Sequence, residues 1–419
     1  VIRSMKTLKT FLTLGALTLI TGGLLAAGTL LPREPEKRLD PNVSFTGEQR
    51  APARHAGVSP WRETKVLEHA GWLAGSVCFS PEGKQLFVGG TEGQTRSYLT
   101  ASWKKLWEYK SEGKFSALAP SPDGNTLGIT YSSDDKRGVL LVDAATGKAG
   151  DRLEELGANR DWPEPIAVGF FPDQAVRQGN EVIATSRKVI FGNTREYIVK
   201  TWLVGGAPST IKSSLVAAGK QPADEYALPI AVSPDGKRVV VTGPVDPATG
   251  KNVLWAWSAG SGAGNKLLEG HKAAVISSAW SKDGKLIVTG DAQGMVIAWD
   301  AATFKEKSRV MFPPGRVAAV AVSDDGKQVA AAVAISLEQL PGKESYSEEV
   351  FIWPSDSPPK QPTAISRHSA GGPFKGIASI AFSPDGKTLV SAFCNFVHLS
   401  RTGELNGKVR VFTLEASRR

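Results

Sequence analysis

The sequence predicts an all-β fold that is built from a repeated antiparallel meander and preceded by one N-terminal hydrophobic helix. Three observations predict it. A Ser-x-Asp-Gly turn or a close variant recurs along the chain, short alternating apolar runs lie on both sides of each turn, and no run beyond residue 31 keeps a helical period. Such a pattern favours sheets made of consecutive hairpins.

The composition is that of a globular chain and excludes several classes of protein. Of the 419 residues, 41% are hydrophobic and 22% are charged, and only 2 are cysteines. The chain is therefore too apolar for a disordered protein and too poor in cysteine for a disulfide scaffold. Residues 1–40 hold 6 Lys/Arg and 3 Asp/Glu, which leaves +6 of the formal +9 for the rest of the chain. Since no dense basic cluster remains there, we expect no nucleic acid partner.

Residues 1–31 predict a signal peptide or a transmembrane anchor. Three Lys/Arg residues precede an uncharged stretch from Thr10 to Leu31, and a basic flank before an apolar core is typical of an export signal. As a helix this stretch spans about 32 Å, enough to cross a hydrocarbon core of about 30 Å. Its length favours an uncleaved anchor, whereas the small residues Ala26-Ala27-Gly28 are compatible with cleavage. In both cases we expect the remaining chain on the periplasmic or outer side of the cytoplasmic membrane.

Residues 32–62 are predicted to form a flexible tether, because they contain 5 prolines among mixed charges.

The turn motif divides residues 63–419 into repeats. Six copies are well formed and a seventh is degenerate; they lie at 80–84, 121–125, 233–237, 281–285, 323–327 and 383–387, and at 171–173. Asp accepts hydrogen bonds from turn amides and Gly adopts a positive φ, so each copy predicts a tight hairpin rather than a catalytic aspartate. The spacing averages about 50 residues, which accommodates four short strands.

One repeat resembles a known family. Gly270-His271, Ser281-Lys-Asp-Gly-Lys285, Thr289-Gly290 and Trp299-Asp300 match the WD40 repeat in order and spacing, and the resemblance covers residues 66–414. It implies a seven-bladed β-propeller of four-stranded antiparallel blades. Together with the export signal predicted for residues 1–31, we expect a bacterial protein that is exported or membrane-anchored. A propeller resembling the periplasmic TolB protein is the alternative.

The resemblance also implies a set of structural residues. In the WD40 family a His, a Ser or Thr, an Asp and a Trp form a hydrogen-bonded tetrad inside a blade. These positions fall on His271, Thr289 and Trp299, and Gln293 occupies the Asp position. We therefore expect a tetrad-like cluster that lacks its ionic link.

Closure of the ring predicts a use for the segment upstream of the first repeat. After the third strand of the last repeat only residues 415–419 remain, which are too few for a dependable fourth strand. Residues 64–68 are therefore predicted to be the outer strand of the last blade, formed by residues 376–414, where they cover an otherwise exposed sheet edge.

The meander places the connections between second and third strands and between blades on one rim. This rim holds the predicted long insertions, at 132–138, 243–252, 334–349 and 395–407. Loops that lengthen on one rim predict a binding surface, although neutral variation in loop length explains them as simply. The candidate partner-face residues, all exposed by this prediction, are Asp134, Lys136, Arg137, Lys343, Tyr346, His398 and Arg401.

The sequence contains no motif of hydrolytic, metal, haem or phosphate-loop chemistry, so we predict no catalytic, cofactor-binding or metal residue. Gly260-Ser-Gly-Ala-Gly264 imitates a dinucleotide loop, but no helical pattern follows it. Cys78 and Cys394 fall in the first and last repeats, which adjoin in a closed ring. Both a disulfide and two buried thiols fit that placement.

Two functions remain open. The first is a non-enzymatic interaction scaffold, a monomeric propeller that binds a protein partner and reaches the membrane through its N-terminal helix. The second is a propeller enzyme of the lactonase or hydrolase type, which needs titratable groups that converge in one pocket with displaced pKa values. The small and apolar inner-strand residues favour the scaffold.

Overall fold

The computed structural model describes residues 59–70, 74–90, 93–111, 114–132, 136–156, 164–170, 181–190, 194–203, 230–245, 252–258, 266–312, 315–338, 345–360, 362–371, 375–395 and 406–415. Every helix or strand in these ranges is a β-strand, which confirms the all-β prediction for this part of the chain. No helix that is long and apolar enough to cross a bilayer occurs among these residues. The predicted N-terminal helix and the degenerate turn at 171–173 lie outside them.

The 27 strands of the described part form seven antiparallel sheets, six with four strands and one with three. Sheet 1 contains β2 (Ala74–Phe79), β3 (Gln85–Gly90), β4 (Gln94–Leu99) and β5 (Lys104–Lys110). Sheet 2 contains β6 (Lys114–Pro120), β7 (Thr126–Ser132), β8 (Lys136–Asp143) and β9 (Ala149–Leu156). Sheet 3 contains β10 (Glu164–Phe170), β11 (Glu181–Ile190) and β12 (Thr194–Leu203). Sheet 4 contains β13 (Ile230–Val232), β14 (Arg238–Val245), β15 (Asn252–Ser258) and β16 (Lys266–Leu267).

Sheet 5 contains β17 (Val275–Trp280), β18 (Leu286–Asp291), β19 (Met295–Asp300) and β20 (Glu306–Met311). Sheet 6 contains β21 (Gly315–Val322), β22 (Gln328–Glu338), β23 (Ser345–Pro354) and β24 (Ala364–Gly371). Sheet 7 contains β25 (Lys375–Phe382), β26 (Thr388–Asn395), β27 (Asn406–Leu414) and the N-terminal strand β1 (Trp61–Ala70). Sheets 1 to 6 are thus simple meanders, whereas sheet 7 takes its outer strand from the other end of the described chain.

The pairing of β1 with β27 confirms the prediction that residues 64–68 form the outer strand of the last sheet. The strand is longer than expected: Trp61 lies opposite Leu414 and Ala70 lies opposite Asn406. The predicted tether therefore overlaps the strand at Trp61 and Arg62. The reason is packing, because the buried Trp61 ring lies edge-on to Phe382 with 5.9 Å between ring centroids.

The first strands of neighbouring sheets contact one another, and β2 of sheet 1 also contacts β25 of sheet 7. In every sheet except sheet 4, an irregularity interrupts the register between the first and second strands, for example between Val275 and Ser277 of β17. At two of the seams, where neighbouring sheets meet, a serine hydroxyl of one sheet accepts a hydrogen bond from the first strand of the next sheet. The Val320 amide donates to Ser277 Oγ at 2.9 Å, and the Val77 amide donates to Ser379 Oγ at 3.2 Å.

The apolar core lies between neighbouring sheets, because apolar side chains on the face of one sheet pack against those of the sheet beside it. Sheets 5 and 6 share one cluster that includes Val288 and Val320. Sheets 7 and 1 share another, in which Val390 and Val411 pack with Val77 and Leu86. The seam between the last and first sheets is thus packed in the same way as a seam between consecutive sheets.

Two predicted long loops are largely strand. The segment 334–349 was expected to be an insertion, yet β22 continues to Glu338 and β23 begins at Ser345. Likewise β8 begins at Lys136, inside the loop predicted for 132–138. The physical reason is that a longer hairpin pairs backbone amides and carbonyls that a loop would leave to water.

Candidate functional site

The loop rim, which consists of the connections between second and third strands and between sheets, is the site of the predicted partner face. Asp134, Lys343, His398 and Arg401 lie outside the described residues. Lys136, Arg137 and Tyr346 stand in strands, with backbones but not side chains described. Arg137 lies opposite Ser132, and Tyr346 lies opposite Ser336, so these residues occupy strand ends at the loop rim.

A chain of buried hydrogen bonds crosses sheet 5. Trp299 Nε1 donates to Thr289 Oγ1 at 2.8 Å, and Thr289 Oγ1 lies 2.7 Å from His271 Nε2. His271 Nδ1 lies 2.9 Å from Asp291 Oδ2. His271, Thr289 and Trp299 are thus joined as the family resemblance implies, and together they tie β18 and β19 to the segment that precedes β17.

The directions of these bonds follow from the donors that are available. The Trp299 indole can only donate, and the Asp291 carboxylate accepts. Because the carboxylate only accepts, His271 Nδ1–H donates to Asp291, and His271 Nε2 and the Thr289 hydroxyl share the second hydrogen bond. Every donor in the chain therefore has an acceptor, which matters because Thr289 and Asp291 are at most 1% exposed.

The assignment of Gln293 to the Asp position was wrong. Gln293 is exposed, and its backbone amide donates to Asp291 Oδ1 at 2.9 Å. The Met295 amide donates to the same oxygen, also at 2.9 Å. Asp291 therefore supplies the carboxylate partner of the histidine that was expected to be missing, and it also caps the turn between β18 and β19. Its place at the very end of β18 lets the carboxylate reach both groups.

The Thr289–His271–Asp291 sequence of contacts has the connectivity of a hydrolytic triad, but its surroundings favour a structural role. The Thr289 hydroxyl is 0% exposed and already accepts a hydrogen bond from Trp299. A nucleophile has to reach substrate with a free lone pair. This arrangement instead fixes the relative positions of three segments of sheet 5.

Sheets 7 and 1 meet at a second polar cluster, which sequence reasoning missed. The fully buried His69 of β1 lies with Nδ1 3.2 Å from Arg96 Nη1, and Arg96 Nη2 donates to Glu108 Oε1 at 2.9 Å. The Tyr98 ring stands perpendicular to His69, with 5.8 Å between centroids. The signal was a single charged residue, Arg96, in the middle of the otherwise uncharged strand Gln94–Leu99.

Burial and charge both act on the titration of this cluster. Burial, followed by the nearby Arg96 guanidinium, lowers the pKa of His69 from 6.5 to about 3. The hydrogen bond from Arg96 is the largest cause that lowers the pKa of Glu108. His69 is therefore neutral and Glu108 ionised near neutral pH, so Arg96 bridges the buried ring and the exposed carboxylate of β5.

The turn rim, opposite the loop rim, consists of the connections between first and second and between third and fourth strands. Each of its Ser-x-Asp-Gly turns uses the serine twice. In sheet 5 the Ser281 hydroxyl donates to Asp283 Oδ1 at 2.6 Å and accepts from the Leu286 amide at 2.9 Å. Successive turns also pack on one another, because a Cβ at Gly124 would lie 2.8 Å from Glu82 Oε1 of the preceding sheet. These aspartates hold hairpins, as the sequence predicts.

Cys78 is a free cysteine, and burial raises the pKa of its thiol to about 12. The Cys394 side chain lies outside the described set, although its backbone pairs with Gly376 and Gly407. In the ranges that the structure describes, no three His, Cys, Asp or Glu side chains come together in a metal-binding group.

Comparison with known proteins points to the same family as the motifs. The family model described as WD domain, G-beta repeat matches residues 264–300 and 364–412. The first match ends at Trp299-Asp300 and contains the whole hydrogen-bond chain of sheet 5; the second extends from β24 to Phe412 of β27. These matches support a WD40 relationship for the two segments. No curated protein matches the chain.

Proposed function

We propose that the seven sheets are the blades of a closed seven-bladed β-propeller of the WD40 kind, and that the protein is a non-catalytic protein-interaction scaffold. The observation that supports this most strongly is the continuity of the seam between sheets 7 and 1. There β1 completes sheet 7, β2 contacts β25, and one apolar cluster spans both sheets.

The partner surface in this proposal is the loop rim. The turn rim is occupied by hairpins whose polar groups bond one another, as in Ser281 with Asp283, whereas connections on the loop rim differ in length from sheet to sheet. Rigid scaffolds generally present binding residues on such variable connections. The three candidates with a described backbone, Lys136, Arg137 and Tyr346, stand at strand ends on this rim.

Residues 1–31 would hold the propeller on the outer side of the cytoplasmic membrane. The support is the basic flank before the uncharged stretch Thr10–Leu31. In intact cells the propeller should then resist protease until the outer barrier is opened, and a variant without residues 1–31 should be found in the cytoplasm. A propeller that stays inside the cell in both forms would contradict this location.

Photocrosslinking tests the scaffold role. Gln293 and Lys285 are both exposed residues of sheet 5, the first on the loop rim and the second on the turn rim. A photoreactive side chain at Gln293 should capture a discrete protein in living cells, and the same group at Lys285 should capture much less of it. Substitution of both Lys136 and Arg137 by Ala should reduce the capture. Equal capture from both rims, or none from the loop rim, would overturn the proposed surface.

A further inference from the structure

Five hairpin turns place a glycine directly after an aspartate. They contain Asp123, Asp235, Asp283, Asp325 and Asp385, and they account for every Asp-Gly sequence in the 419 residues. The corresponding turn of sheet 1 has Glu82 before Gly83 instead. Asp-Gly is the dipeptide in which the following backbone nitrogen reaches the carboxyl carbon with least hindrance, because glycine has no Cβ.

The chemistry open to such a dipeptide is isomerisation. The glycine nitrogen attacks the aspartate Cγ and a C–N bond forms. Water leaves, made from one carboxyl oxygen with its proton and from the amide proton, and the product is a five-membered cyclic imide. Water then adds to either carbonyl, which gives aspartate again or isoaspartate, whose main chain runs through Cβ. No oxidant or reductant is needed, and the mass of the chain is unchanged.

In the folded turn, hydrogen bonds hold both the aspartate carboxyl group and the glycine nitrogen. The serine hydroxyl of each turn donates to the aspartate Oδ1 at 2.5–2.7 Å. The amide two residues after the aspartate donates to the same oxygen at 3.0–3.1 Å. The attacking nitrogen is also held, because each glycine N–H donates to the serine carbonyl at 2.8–2.9 Å.

The lowered pKa values of the aspartate carboxyls also slow the attack of the glycine nitrogen. Burial raises the pKa of Asp123 and Asp385, but the hydrogen bonds from serine and from the backbone outweigh it and leave the pKa below its usual value. At Asp325 the Ser323 hydroxyl is the largest cause of the lowered pKa. The ionised carboxylate is the poorer electrophile, so attack by the amide is slowed further.

We propose that these five Asp-Gly bonds are isoaspartate-forming sites of the chain, and that the serine of each turn keeps its own site unreactive while that turn is folded. An isoaspartate adds one main-chain atom to a turn whose glycine has a φ of +64° to +75°. The hairpin register on both sides depends on that spacing. A damaged turn therefore cannot re-form its native hydrogen bonds.

The test compares isoaspartate at each site by peptide mapping, after incubation of the full chain folded or in denaturant at neutral pH. Each of the five sites should accumulate isoaspartate at least about tenfold more slowly in the folded chain, since reaction requires local opening. Glu82-Gly83 is an internal control that should stay unmodified in both states, because its imide ring would have six members. Equal rates in folded and denatured chains would overturn the proposal.

Asn406-Gly407 is a separate source of isoaspartate that the same mapping distinguishes. Attack of that glycine nitrogen on the asparagine side chain expels ammonia, so the peptide gains mass when the imide opens. Isomerisation at the five Asp-Gly bonds leaves the peptide mass unchanged.

A pair of variants tests the role of the serine. Ser121→Ala removes the hydroxyl that contacts Asp123, whereas Ser121→Thr keeps it. In the folded chain Ser121→Ala should raise isoaspartate at Asp123 several-fold and leave the other four sites unchanged, and Ser121→Thr should behave as the parent. An unchanged Asp123, or an equal rise at all five sites, would show that the serine does not act locally.

Discussion

Asp291 is the residue on which the polar interior of sheet 5 depends. One of its oxygens lies 2.9 Å from His271 Nδ1, and the other accepts two backbone amides. It is 1% exposed, so these hydrogen bonds are shielded from bulk water. Buried donors that lose their acceptor incur the full cost of desolvation.

Replacement of Asp291 by Ala should lower the free energy of unfolding by on the order of 3 kcal/mol, because three donors lose their acceptor at once. Gln293→Ala is the matched control. Its side chain is exposed in the same turn, so the change should stay within about 0.5 kcal/mol. Urea unfolding measures both. Similar losses in the two variants would contradict the assignment of Asp291 to the histidine.

His69 gives the seam between sheets 7 and 1 a pH dependence. Its pKa is about 3 in the folded protein, against 6.5 for an exposed histidine. Below about pH 6.5 the unfolded chain binds a proton that the folded protein does not. Above that pH His69 therefore does not lower the stability of the folded protein. As the pH falls towards 3, protonation of His69 in the unfolded chain progressively lowers the free energy of unfolding.

Between about pH 7 and pH 5 the wild type should lose stability with a slope of at most about 1.4 kcal/mol per pH unit from this residue. The turn aspartates, whose pKa values are lowered, titrate below that window. In His69→Gln the slope should be shallower, since glutamine does not titrate. Parallel curves for the two proteins would contradict a buried neutral histidine.

One backbone position was beyond prediction from the sequence. In three sheets the turn between the third and fourth strands contains a residue with a positive φ. This residue is Gly147 in sheet 2, Trp103 in sheet 1 and Phe304 in sheet 5, with φ values of 74°, 58° and 56°. Glycine is predictable there, but the two aromatic residues are not. At Gly147 a Cβ would lie 2.6 Å from the Trp107 ring. Trp103 and Phe304 instead pack their own rings against the core clusters beside them, which compensates for the strain.

At the scale of elements, the closing strand β1 is held by charge as well as by its ladder. Glu63 pairs with Arg410 at 2.7 Å, Glu68 with Lys408 at 3.2 Å and Arg62 with Glu415 at 3.6 Å. All three pairs join the N-terminal to the C-terminal end of the described chain. Exposed pairs are individually weak, so we infer that they mainly favour the correct register.

Charge reversal tests this pairing. Glu63→Arg alone and Arg410→Glu alone should each destabilise the protein, because like charges then face each other across the strands. The double variant should recover most of the loss, with a coupling of about 0.2–1 kcal/mol in urea unfolding. Losses that simply add in the double variant would mean that the two side chains do not interact.

The elements that sequence could predict are those with local signals. Turn chemistry located the hairpins, and the count of strands placed residues 64–68 in the last sheet, as the pairing of β1 confirms. The extents of β22 and β23 were not predictable, because their ends depend on cross-strand pairing up to Glu338 and Ser345. The assignment of Gln293 to the Asp position failed for a similar reason, since sequence spacing does not specify that β18 ends at Asp291.

At the scale of the whole molecule, packing and pairing at the seam between sheets 7 and 1 support ring closure. Only residues 71–73 separate β1 in sheet 7 from β2 in sheet 1. If β1 is bound to β27, sheet 1 must therefore lie beside sheet 7. In a closed ring the apolar faces of the first and last sheets cover each other, which removes an exposed apolar surface that would otherwise favour aggregation.

A disulfide between β1 and β27 tests closure most directly. Thr64 Oγ1 lies 2.9 Å from Thr413 Oγ1, so Thr64→Cys and Thr413→Cys together should oxidise readily in the folded monomer. Peptide mapping should recover the two substituted positions linked to each other within one chain. The melting temperature should also rise, because the link closes a loop of nearly the whole described chain. Failure to form the link in the folded protein, or a link found only between two chains, would contradict a ring closed by its own N-terminal strand.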